Sequence, residues 1–385
     1  MITDKKIVVI GSGVSGVGAV KLLEAAGAVP TLYDSNEKLT GAEVRGRLPE
    51  GSKCKIVLGA FPEELKKETE LVVLSPGVPV DLPLVEELRA NGATIWGEVE
   101  LAYHFGKGRI AAITGTNGKT TTTTLVGEIF KSYYPEVFVV GNIGTAYTQE
   151  ALKMTGNSVT AAEISSFQLE TIENFHPKVS AILNITPDHL NRHHTMKCYI
   201  ETKEKIAENQ TRDDPCVLNY DDEETRRFGE TCKASVLYFS REHILDQGVY
   251  LDGTAIVYAD EAVRTKICDI SELKLLGTHN YENVMAAVAI TAAMGVPLYP
   301  RDSHQLYSRR TPHRVRGGKE GRRLLQRFQG NEYRCVHQGR AGHESSHHRH
   351  RRRLRQACDL RRLDRVLRRQ SEMAGSAGPD RQSDC

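Results

Sequence analysis

The 385-residue sequence lacks the features that mark membrane, secreted and zinc-binding proteins. No apolar run approaches the roughly 18 residues that a membrane-spanning helix needs. The eight cysteines form no CxxC pair, which argues against a zinc site and against a disulfide framework. Because the first residues lead directly into the apolar run Ile7–Ile10, we expect no signal peptide. These absences favour a cytoplasmic enzyme that is not inserted in a membrane.

The net charge of +2 hides two regions of opposite charge. Residues 316–385 contain 17 Arg and one Lys against eight acidic residues, a charge of +10, so residues 1–315 carry −8. The last 70 residues also contain no Ile, Thr or Trp, but they hold five of the 14 His. So abrupt a change in composition has two interpretations. Either the protein has a basic tail, or residues 316–385 are not a sequence of the same kind as residues 1–315.

Short β-branched runs alternate with amphipathic stretches from residue 1 to about residue 313. Several of the runs are apolar on both faces, as parallel strands covered by helices must be. The pattern predicts α/β layers, with boundaries near Gly97–Glu98 and near Pro297–Arg301. The predicted strands are Lys6–Ile10, Thr31–Tyr33, Leu71–Leu74, Arg109–Ile113, Phe138–Val140, Ser158–Glu163 and Val179–Ile185, and two of the predicted helices are Lys197–Glu208 and Tyr281–Met294.

The first glycine-rich motif is Gly11-Ser-Gly-Val-Ser-Gly16, between the first predicted strand and an alanine-rich helix. Its glycines permit a tight turn, and the N-terminus of the helix favours a phosphate group. Asp34 ends the next predicted strand, where a ribose or a base edge could bind. The motif predicts a nucleotide site, while the alternative is that the glycines only pack a helix on a strand.

The second glycine-rich motif, Gly115-Thr-Asn-Gly-Lys-Thr-Thr121, follows a strand and opens a helix. Such a loop surrounds a β-phosphate with backbone N–H groups, while its lysine meets the β- and γ-phosphate oxygens and its hydroxyl ligates Mg²⁺. Here those side chains are Lys119 and Thr120. The motif departs from GxxxxGK[ST], since Ile113 stands where the outer glycine would be. The alternative is a glycine-rich turn without a ligand.

Further segments accompany this loop in one order along residues 1–315. They are Ser75-Pro-Gly-Val-Pro79, Gly141-Asn-Ile-Gly144, Glu163-Ile-Ser-Ser-Phe-Gln-Leu-Glu170, Asn184-Ile-Thr-Pro-Asp-His-Leu190 and Gly277-Thr-His-Asn-Tyr-Glu-Asn283. Together with TGTNGKTTT, they resemble the Mur ligases, the ATP-dependent amide-forming enzymes of peptidoglycan synthesis.

The resemblance implies a Rossmann-like domain over residues 1–98 that holds a UDP-linked substrate rather than a dinucleotide. It implies a central ATP-binding α/β domain over residues 99–312, and a third Rossmann-like domain that residues 313–385 do not resemble. The activity implied is that of the family member that adds D-glutamate to UDP-N-acetylmuramoyl-L-alanine through an acyl phosphate, with ATP and Mg²⁺ as cofactors. We expect a monomer that binds no nucleic acid.

The resemblance also assigns functional residues. ATP is expected at Gly115, Thr116, Asn117, Gly118, Lys119, Thr120, Thr121, Asn280, Asn283 and Arg314. The UDP-linked substrate is expected at Val14, Ser15, Asp34, Ser35, Ser75 and Asn142. One Mg²⁺ is expected at Thr120 and Glu163 and a second at His189 and Lys203, and catalysis is expected at Lys119, His189 and Lys203. For Glu163 and Asn280 the alternative is helix capping, and a lone histidine such as His189 is usually structural.

Lys203 can also be placed by periodicity. In the predicted helix Lys197–Glu208 it is three or four positions from the apolar residues Tyr199, Ile200, Ile206 and Ala207, so it shares their inward face. Burying a lysine is costly unless its charge is removed or paired. In the Mur ligases the matching lysine is carbamylated, which gives an anion that can ligate magnesium. The alternative is that the side chain extends to solvent.

The composition of the tail leads to the hypothesis of a reading-frame slip. One choice of codons for Leu324–Gly339, read one base downstream, encodes Tyr-Tyr-Asn-Asp-Ser-Lys-Gly-Thr-Asn-Thr-Asp-Ala-Ser-Ile-Lys, which contains the Asn-Asp-Ser-Lys motif of the Mur ligase third domain. We therefore expect a one-base slip near Val315–Arg316 and little packed structure after it. The alternative is a basic tail that binds RNA or DNA.

Three other functions remain open on the sequence. A nicotinamide-dependent oxidoreductase would use Gly11–Gly16 and Asp34 but leaves Lys119 without a role. A regulatory nucleotide-binding module would keep the phosphate loop and not need Glu163, His189 or Lys203. A Mur ligase that adds another amino acid is the alternative within the family.

Overall fold

A computed structural model describes residues 2–142, 144–261, 263–273 and 277–298, together with the backbone of residues 316–317. The expectations for Arg314 and for the tail lie outside the described residues. Within the described residues, no helix combines the length and the apolar character required to cross a bilayer.

The first sheet has five parallel strands in the order β3-β2-β1-β4-β5. Helices connect successive strands, as crossovers between parallel strands require. The elements are β1 Ile7–Ile10, α1 Val14–Ala25, β2 Thr31–Asp34, α2 Gly41–Arg45, β3 Lys55–Leu58, α3 Glu63–Glu68, β4 Leu71–Leu74, α4 Pro83–Ala90, β5 Thr94–Gly97 and α5 Glu98–Phe105. The central strands β1 and β4 are buried along their whole length, as their uninterrupted apolar sequences require.

The second sheet has ten strands among the described residues, in the order β15-β14-β13-β12-β11-β10-β9-β6-β8-β7. Its first part consists of β6 Arg109–Thr114, α6 Lys119–Tyr133, β7 Val137–Gly141, α7 Tyr147–Glu150, β8 Val159–Glu163, α8 Ser166–Leu169, β9 Val179–Ile182, α9 Leu190–His193 and α10 Met196–Glu204. Its second part consists of β10 Pro215–Asn219, α11 Glu223–Thr231, β11 Ser235–Ser240, β12 Gly248–Asp252, β13 Ala255–Ala259, β14 Arg264–Asp269, α12 Thr278–Ala293 and β15 Arg316–Gly317.

The ladder from β7 to β12 is parallel, and β12, β13 and β14 form an antiparallel meander at its end. The parallel part places the carboxyl ends of β6, β8 and β9 side by side, with Ile113 opposite Glu163 and Thr114 opposite Ile182. Since ligands of such sheets bind outside the carboxyl ends of the strands, this edge is where a site is expected.

The two sheets meet through α1, α5 and α7, which contact one another. At Gly18 of α1 a side chain would lie against the Thr148 hydroxyl of α7, so the glycine permits this close approach. The buried carboxylate of Glu98, at the start of α5, accepts hydrogen bonds from the Thr148 amide and hydroxyl and from Gln168. Because α5 contacts elements of both sheets, the boundary between the first two domains at residue 98 stays a prediction. The end of the central domain at residue 312 also stays a prediction.

The α/β class is confirmed, and each of the seven predicted strands overlaps an observed one. The prediction Val179–Ile185 is too long, because the strand ends at Ile182 and Asn184 turns its side chain to the phosphate loop. The prediction Tyr281–Met294 starts too late, since α12 begins at Thr278. The prediction Lys197–Glu208 holds as α10 to Glu204 and then tightens into a 3₁₀ turn over Lys205–Ala207.

Candidate active site

The second glycine motif forms a loop between β6 and α6. Gly118 caps α6 in a left-handed conformation with φ of 84°, and a side chain there would overlap Oδ1 of Asn283. Only glycine meets both requirements without strain. No side chain caps the start of α6, so its first N–H groups face the loop and are available to an anion.

Lys119, the first residue of α6, folds its side chain back over this loop. Its Nζ donates to the carbonyl oxygens of Gly115 at 2.9 Å and Thr116 at 2.8 Å. Burial lowers the pKa of Lys119, and the charges of Glu163 and Asp188 oppose that effect. Within the described part of the chain no carboxylate pairs directly with this ammonium, which leaves it available to a phosphate.

The loop is fastened to the segment that follows β9. The amide of Asn117 donates to Oδ1 of Asn184 at 2.8 Å, and Nδ2 of Asn184 donates to the Asn117 carbonyl at 3.2 Å. The Thr116 hydroxyl bonds to the backbone of Thr186 and lies 3.1 Å from the hydroxyl of Tyr199. These contacts hold the loop in place before any ligand arrives.

Glu163 lies at the end of β8, paired with Ile113 on one side and with Gly141 on the other. Its carboxylate is buried, which raises its pKa, while the Thr120 hydroxyl, the Lys119 charge and the Asn142 amide act in the opposite direction. Nδ2 of Asn142 is 3.5 Å from Oε1 of Glu163. The structure thus brings together the two predicted ligands of one magnesium ion, Thr120 and Glu163, with Lys119 beside them.

Lys203 points inward from α10, as its periodicity predicts, and is only 1% exposed. Its Nζ donates to the Gly115 carbonyl at 2.9 Å and lies 4.7 Å from the centre of the Tyr199 ring. Burial, followed by the nearby charge of Lys119, lowers the pKa of Lys203 to about 7, although Asp188 opposes the shift. The alternative of a side chain that extends to solvent does not apply.

His189 sits between β9 and α9 in a left-handed conformation with φ of 52°. Its side chain is 49% exposed, and Nε2 lies 3.5 Å from the Asp188 carboxylate. Its ring is 4.9 Å from the Phe167 ring. A non-glycine residue in this conformation is uncommon and costs free energy, and such strain concentrates at functional sites.

The donor set fits magnesium at one of the two predicted positions. Thr120 and Glu163 supply hydroxyl and carboxylate oxygens, which Mg²⁺ prefers, and Mg²⁺ needs few protein ligands when a phosphate supplies the rest. At the second position an amine on Lys203 would not bind a cation beside His189, whereas a carbamate would. Among the described residues no three His, Cys, Asp or Glu side chains are grouped as a metal site.

Asn280 and Asn283 lie in the first two turns of α12, which packs on α6. The buried amide of Asn283 accepts from the Thr122 hydroxyl at 3.3 Å and donates to Oδ1 of Asn280 at 3.2 Å. Asn283 therefore links the two helices behind the phosphate loop. Half of its hydrogen-bonding capacity remains for the predicted contact with adenine.

The first glycine motif forms the corresponding loop between β1 and α1. Val14, at the start of α1, is an exposed apolar residue, with 74% of its surface accessible. The Asp34 carboxylate is occupied by the loop itself, since Oδ2 accepts from the Ser12 amide at 2.9 Å and hydroxyl at 2.6 Å. Burial would raise the pKa of Asp34, but these bonds, the amide of Asn36 and the charge of Arg47 hold it below its usual value. Asp34 therefore shapes this loop.

Three of the other predicted substrate residues belong to the first sheet and its helices, and the fourth belongs to the second sheet. Ser75 follows β4 and donates from its hydroxyl to the Gly11 carbonyl at 3.2 Å. Ser15 is half-buried in the first turn of α1, and Ser35 is exposed after β2. Asn142 lies at the edge of the second sheet, beside Glu163.

Three residues of this site were missed by sequence reasoning. Asp188 raises the pKa of both Lys119 and Lys203, Tyr199 contacts both Thr116 and Lys203, and Asn184 fastens the loop. Asp188 and Asn184 both belong to the segment Asn184–Leu190, so a polar residue directly after a buried strand was the available indication. Nothing in the sequence distinguishes Tyr199 from an ordinary core aromatic residue.

Comparison with known proteins gives two family matches. Residues 5–97 match the N-terminal domain of the MurD-like Mur ligases, and residues 113–291 match the Mur ligase middle domain. Among solved structures, the UDP-N-acetylmuramate:L-alanyl-gamma-D-glutamyl-meso-diaminopimelate ligase from Neisseria meningitides is similar with a TM-score of 0.50 and 15% identity, over 76% of this chain and 94% of that one. This last likeness concerns the fold alone.

Two curated relatives carry the name UDP-N-acetylmuramoylalanine--D-glutamate ligase. The protein of Lachnoclostridium phytofermentans is 55% identical over 294 residues, and that of Lachnospira eligens is 54% identical over 294 residues. Each alignment covers 76% of this chain but only 65% of the relative. The chain thus matches slightly less than two thirds of the length of these proteins.

Proposed function

The chain belongs to the Mur ligase family, and on that premise we propose that it forms the substrate- and ATP-binding part of a ligase that joins D-glutamate to UDP-N-acetylmuramoyl-L-alanine. The proposal rests on the names of the relatives and on one feature of the site. This feature is the convergence of Lys119 and Lys203 on the Gly115 carbonyl, beside the buried Glu163.

Amide formation requires activation, because a carboxylate is a poor electrophile. Transfer of the γ-phosphoryl group of ATP to the carboxylate gives an acyl phosphate, and the amine of the amino acid then displaces phosphate. The first step brings two anions together. Lys119 offsets their repulsion once its ammonium turns from the Gly115 and Thr116 carbonyls to the phosphates.

Magnesium, held by Thr120 and Glu163 and in a second position by His189 and Lys203, would neutralise charge on the phosphates and the carboxylate. For the second position we propose that Lys203 is carbamylated. A free amine attacks CO₂, an N–C bond forms and one proton is released, which leaves an anionic carbamate. The lowered pKa of Lys203, about 7, supports the proposal because it supplies the neutral amine that this reaction needs.

The first sheet would hold the UDP-linked substrate at the loop between β1 and α1. Val14 offers an exposed apolar surface to a base, and Ser15, Ser35 and Ser75 offer hydroxyl groups near it. Asn142, which reaches Glu163, would face the muramoyl-alanine end of the substrate. Since ATP and UDP-linked precursors are metabolites of the cytoplasm, the proposal places the protein there, as a monomer.

Titration of the 385-residue chain tests the proposal. ADP should bind with an affinity that rises when Mg²⁺ is added, and UDP-N-acetylmuramoyl-L-alanine should bind at a separate site. Mass spectrometry should then detect a D-glutamate amide in the presence of ATP and less product with other amino acids. Absence of magnesium-dependent nucleotide binding contradicts the proposal, and a preference for another amino acid favours the alternative within the family.

The proposal also concerns the tail, residues 316–385, and the reading frame that encodes it. We propose that a single-base slip near codons 315–316 separates residues 316–385 from the frame of the third domain, so that this chain binds its substrates but forms product slowly. Sequencing the gene across codons 310–320 and expressing a version with the frame restored should raise the rate of amide formation by orders of magnitude. A gene with no second frame through the tail, or equal rates for both chains, contradicts this.

A further inference from the structure

Arg192 is the third residue of α9 and is only 12% exposed. It makes a two-point contact with Glu170, from Nε to Oε1 at 3.1 Å and from Nη2 to Oε2 at 2.5 Å. Glu170 follows α8 and is itself 10% exposed. None of the functions assigned above uses this buried pair.

Arg192 also reaches across to the first sheet. Its Nη2 donates to the backbone carbonyl of Val78 at 2.9 Å. Val78 closes a turn on Ser75, and the Ser75 hydroxyl bonds to Gly11 in the first glycine loop. The guanidinium is therefore three hydrogen bonds away from the loop that is proposed to hold the UDP-linked substrate.

On its other side Arg192 is linked to the proposed metal ligands. Its guanidinium lies 5.1 Å from the centre of the Phe167 ring, and the centre of the His189 ring lies 4.9 Å from that of Phe167. The amide of Arg192 donates to the His189 carbonyl at 2.9 Å. Glu170 ends the segment that begins at Glu163, so both segments that carry proposed metal ligands are fastened to one guanidinium.

We propose that Arg192, fixed by Glu170, is a positioning residue that couples the UDP-substrate loop to the magnesium-nucleotide site. It holds the turn at Val78 and the strained residue His189 in one arrangement, so a ligand that orders either side favours the other. The inference rests on the proposed function, because it concerns how the two proposed sites communicate. Reciprocal coupling between two binding sites is the measurable consequence.

The contacts of Arg192 require a guanidinium group at this position. Only a guanidinium can contact both oxygens of a carboxylate and a third acceptor in fixed directions, whereas lysine is a point charge on a flexible stem. Arg192→Lys keeps the charge against Glu170, so it avoids the unpaired buried carboxylate that an alanine would leave. It should lose the directed contact with Val78 and with it the coupling.

The experiment uses the 385-residue chain and measures the dissociation constant of UDP-N-acetylmuramoyl-L-alanine with and without saturating Mg²⁺ and ADP. For the native chain we expect the nucleotide to tighten binding by about 5- to 150-fold, the usual range for coupled sites. In Arg192→Lys this factor should fall towards one, while Mg²⁺-ADP alone binds within about twofold of the native affinity. A role in stability alone would lower the melting temperature and leave the coupling factor unchanged.

Arg226→Lys is the matched control. Arg226 also donates to a backbone carbonyl, that of Tyr220 at 2.8 Å, and lies over an aromatic ring, but it belongs to α11 and contacts none of the proposed ligand residues. Glu170→Gln, which keeps the shape of the partner, is used if Arg192→Lys does not fold, and it should also reduce the coupling.

Coupling that persists in the folded variant overturns the inference, as does a native chain that binds both ligands independently. A native chain that binds neither ligand overturns the proposed function itself, so the two failures can be told apart.

Discussion

The two glycine loops of this chain share one local architecture and differ in charge. Each follows a buried parallel strand, β1 or β6, and each opens a helix that has no side-chain cap, α1 or α6. The loop before α6 is overlaid by the ammonium groups of Lys119 and Lys203. The loop before α1 has the Asp34 carboxylate on its backbone and the exposed apolar Val14 at its opening.

This difference shows that a strand, glycine turn and helix provide a binding position, while the flanking side chains decide what is bound. A lysine pair with a buried carboxylate suits a triphosphate with magnesium. An exposed apolar side chain near hydroxyl groups suits a nucleotide base that is bound without an ion pair. The glycine spacing of the first loop, which also occurs in dinucleotide-binding proteins, therefore does not identify a redox enzyme.

Removing the charge from the second loop should give the largest effect. We expect Lys119→Ala to lower ATP-dependent turnover by about 100- to 1,000-fold, the usual loss when one charge-stabilising donor is removed, and to leave UDP-N-acetylmuramoyl-L-alanine binding within about twofold. Product formation and calorimetry measure the two effects. Lys131→Ala, an exposed residue of the same helix paired with Glu128, is the control. If Lys119→Ala lowered turnover and the affinity for UDP-N-acetylmuramoyl-L-alanine by the same factor, the two loops would not be separate sites.

Lys203 should give a pH-dependent effect on stability. Because its pKa in the folded protein is about 7, the unfolded chain binds more protons between pH 7 and the ordinary pKa of lysine. The penalty for burying the charge is thus fully present below pH 7 and declines as the pH rises. In CO₂-free buffer the native chain should gain up to about 1.4 kcal/mol per pH unit relative to Lys203→Met.

Urea unfolding from pH 7 to pH 9 measures this gain. Lys131→Met, which removes an exposed amine from the second sheet's helix α6, should show no such slope relative to the native chain. A native chain and Lys203→Met with parallel pH profiles would mean that the buried amine keeps an ordinary pKa. Addition of bicarbonate should stabilise the native chain and leave Lys203→Met unchanged.

Sequence patterns predicted the strands that carry the two loops, because central parallel strands are uninterrupted apolar runs beside glycines. They did not predict β10 to β14, most of which carry polar or charged residues at one end or along their length. The hairpin of β12 and β13 was detectable, since Gly253-Thr254 lies between two largely apolar runs and glycine is favoured at the first position of a two-residue turn. The burial of Lys203 was also predictable, because it depends only on helical periodicity.

Contacts between residues far apart in the sequence could not be predicted from spacing. The bond between Lys203 and Gly115 joins positions 88 residues apart, and that between Arg192 and Val78 joins positions 114 apart. The substrate role expected of Asp34 stays a prediction, and the bond between its carboxylate and Ser12 is a contact that spacing did not indicate. A pattern shows that a polar group lies at a sheet edge, but its partner depends on how the chain folds around that edge.

An intermediate effect is expected where backbone conformation and space act together. Gly118→Ala should destabilise the chain by about 1–2 kcal/mol for its left-handed conformation, and by more because its methyl group would displace Asn283. Gly253→Ala is matched to it, since Gly253 also has a positive φ, 59°, but has open space around it. Thermal unfolding should rank Gly118→Ala below Gly253→Ala. Equal losses would show that Asn283 yields freely and does not brace the phosphate loop.

The smallest effect is expected at the first loop. Asp34→Asn removes the charge from a half-buried acceptor of two Ser12 hydrogen bonds, so it should cost about 1 kcal/mol of stability. Because the folded-state pKa of Asp34 lies below its ordinary value, this contribution is present at neutral pH and is lost as the pH falls through that pKa. Binding of the UDP-linked substrate should weaken while Mg²⁺-ADP binding is unchanged, with the exposed Asp246→Asn as the control. If Asp34→Asn instead weakens nucleotide binding at the second loop, the two loops are coupled through more than Arg192, and their separate treatment fails.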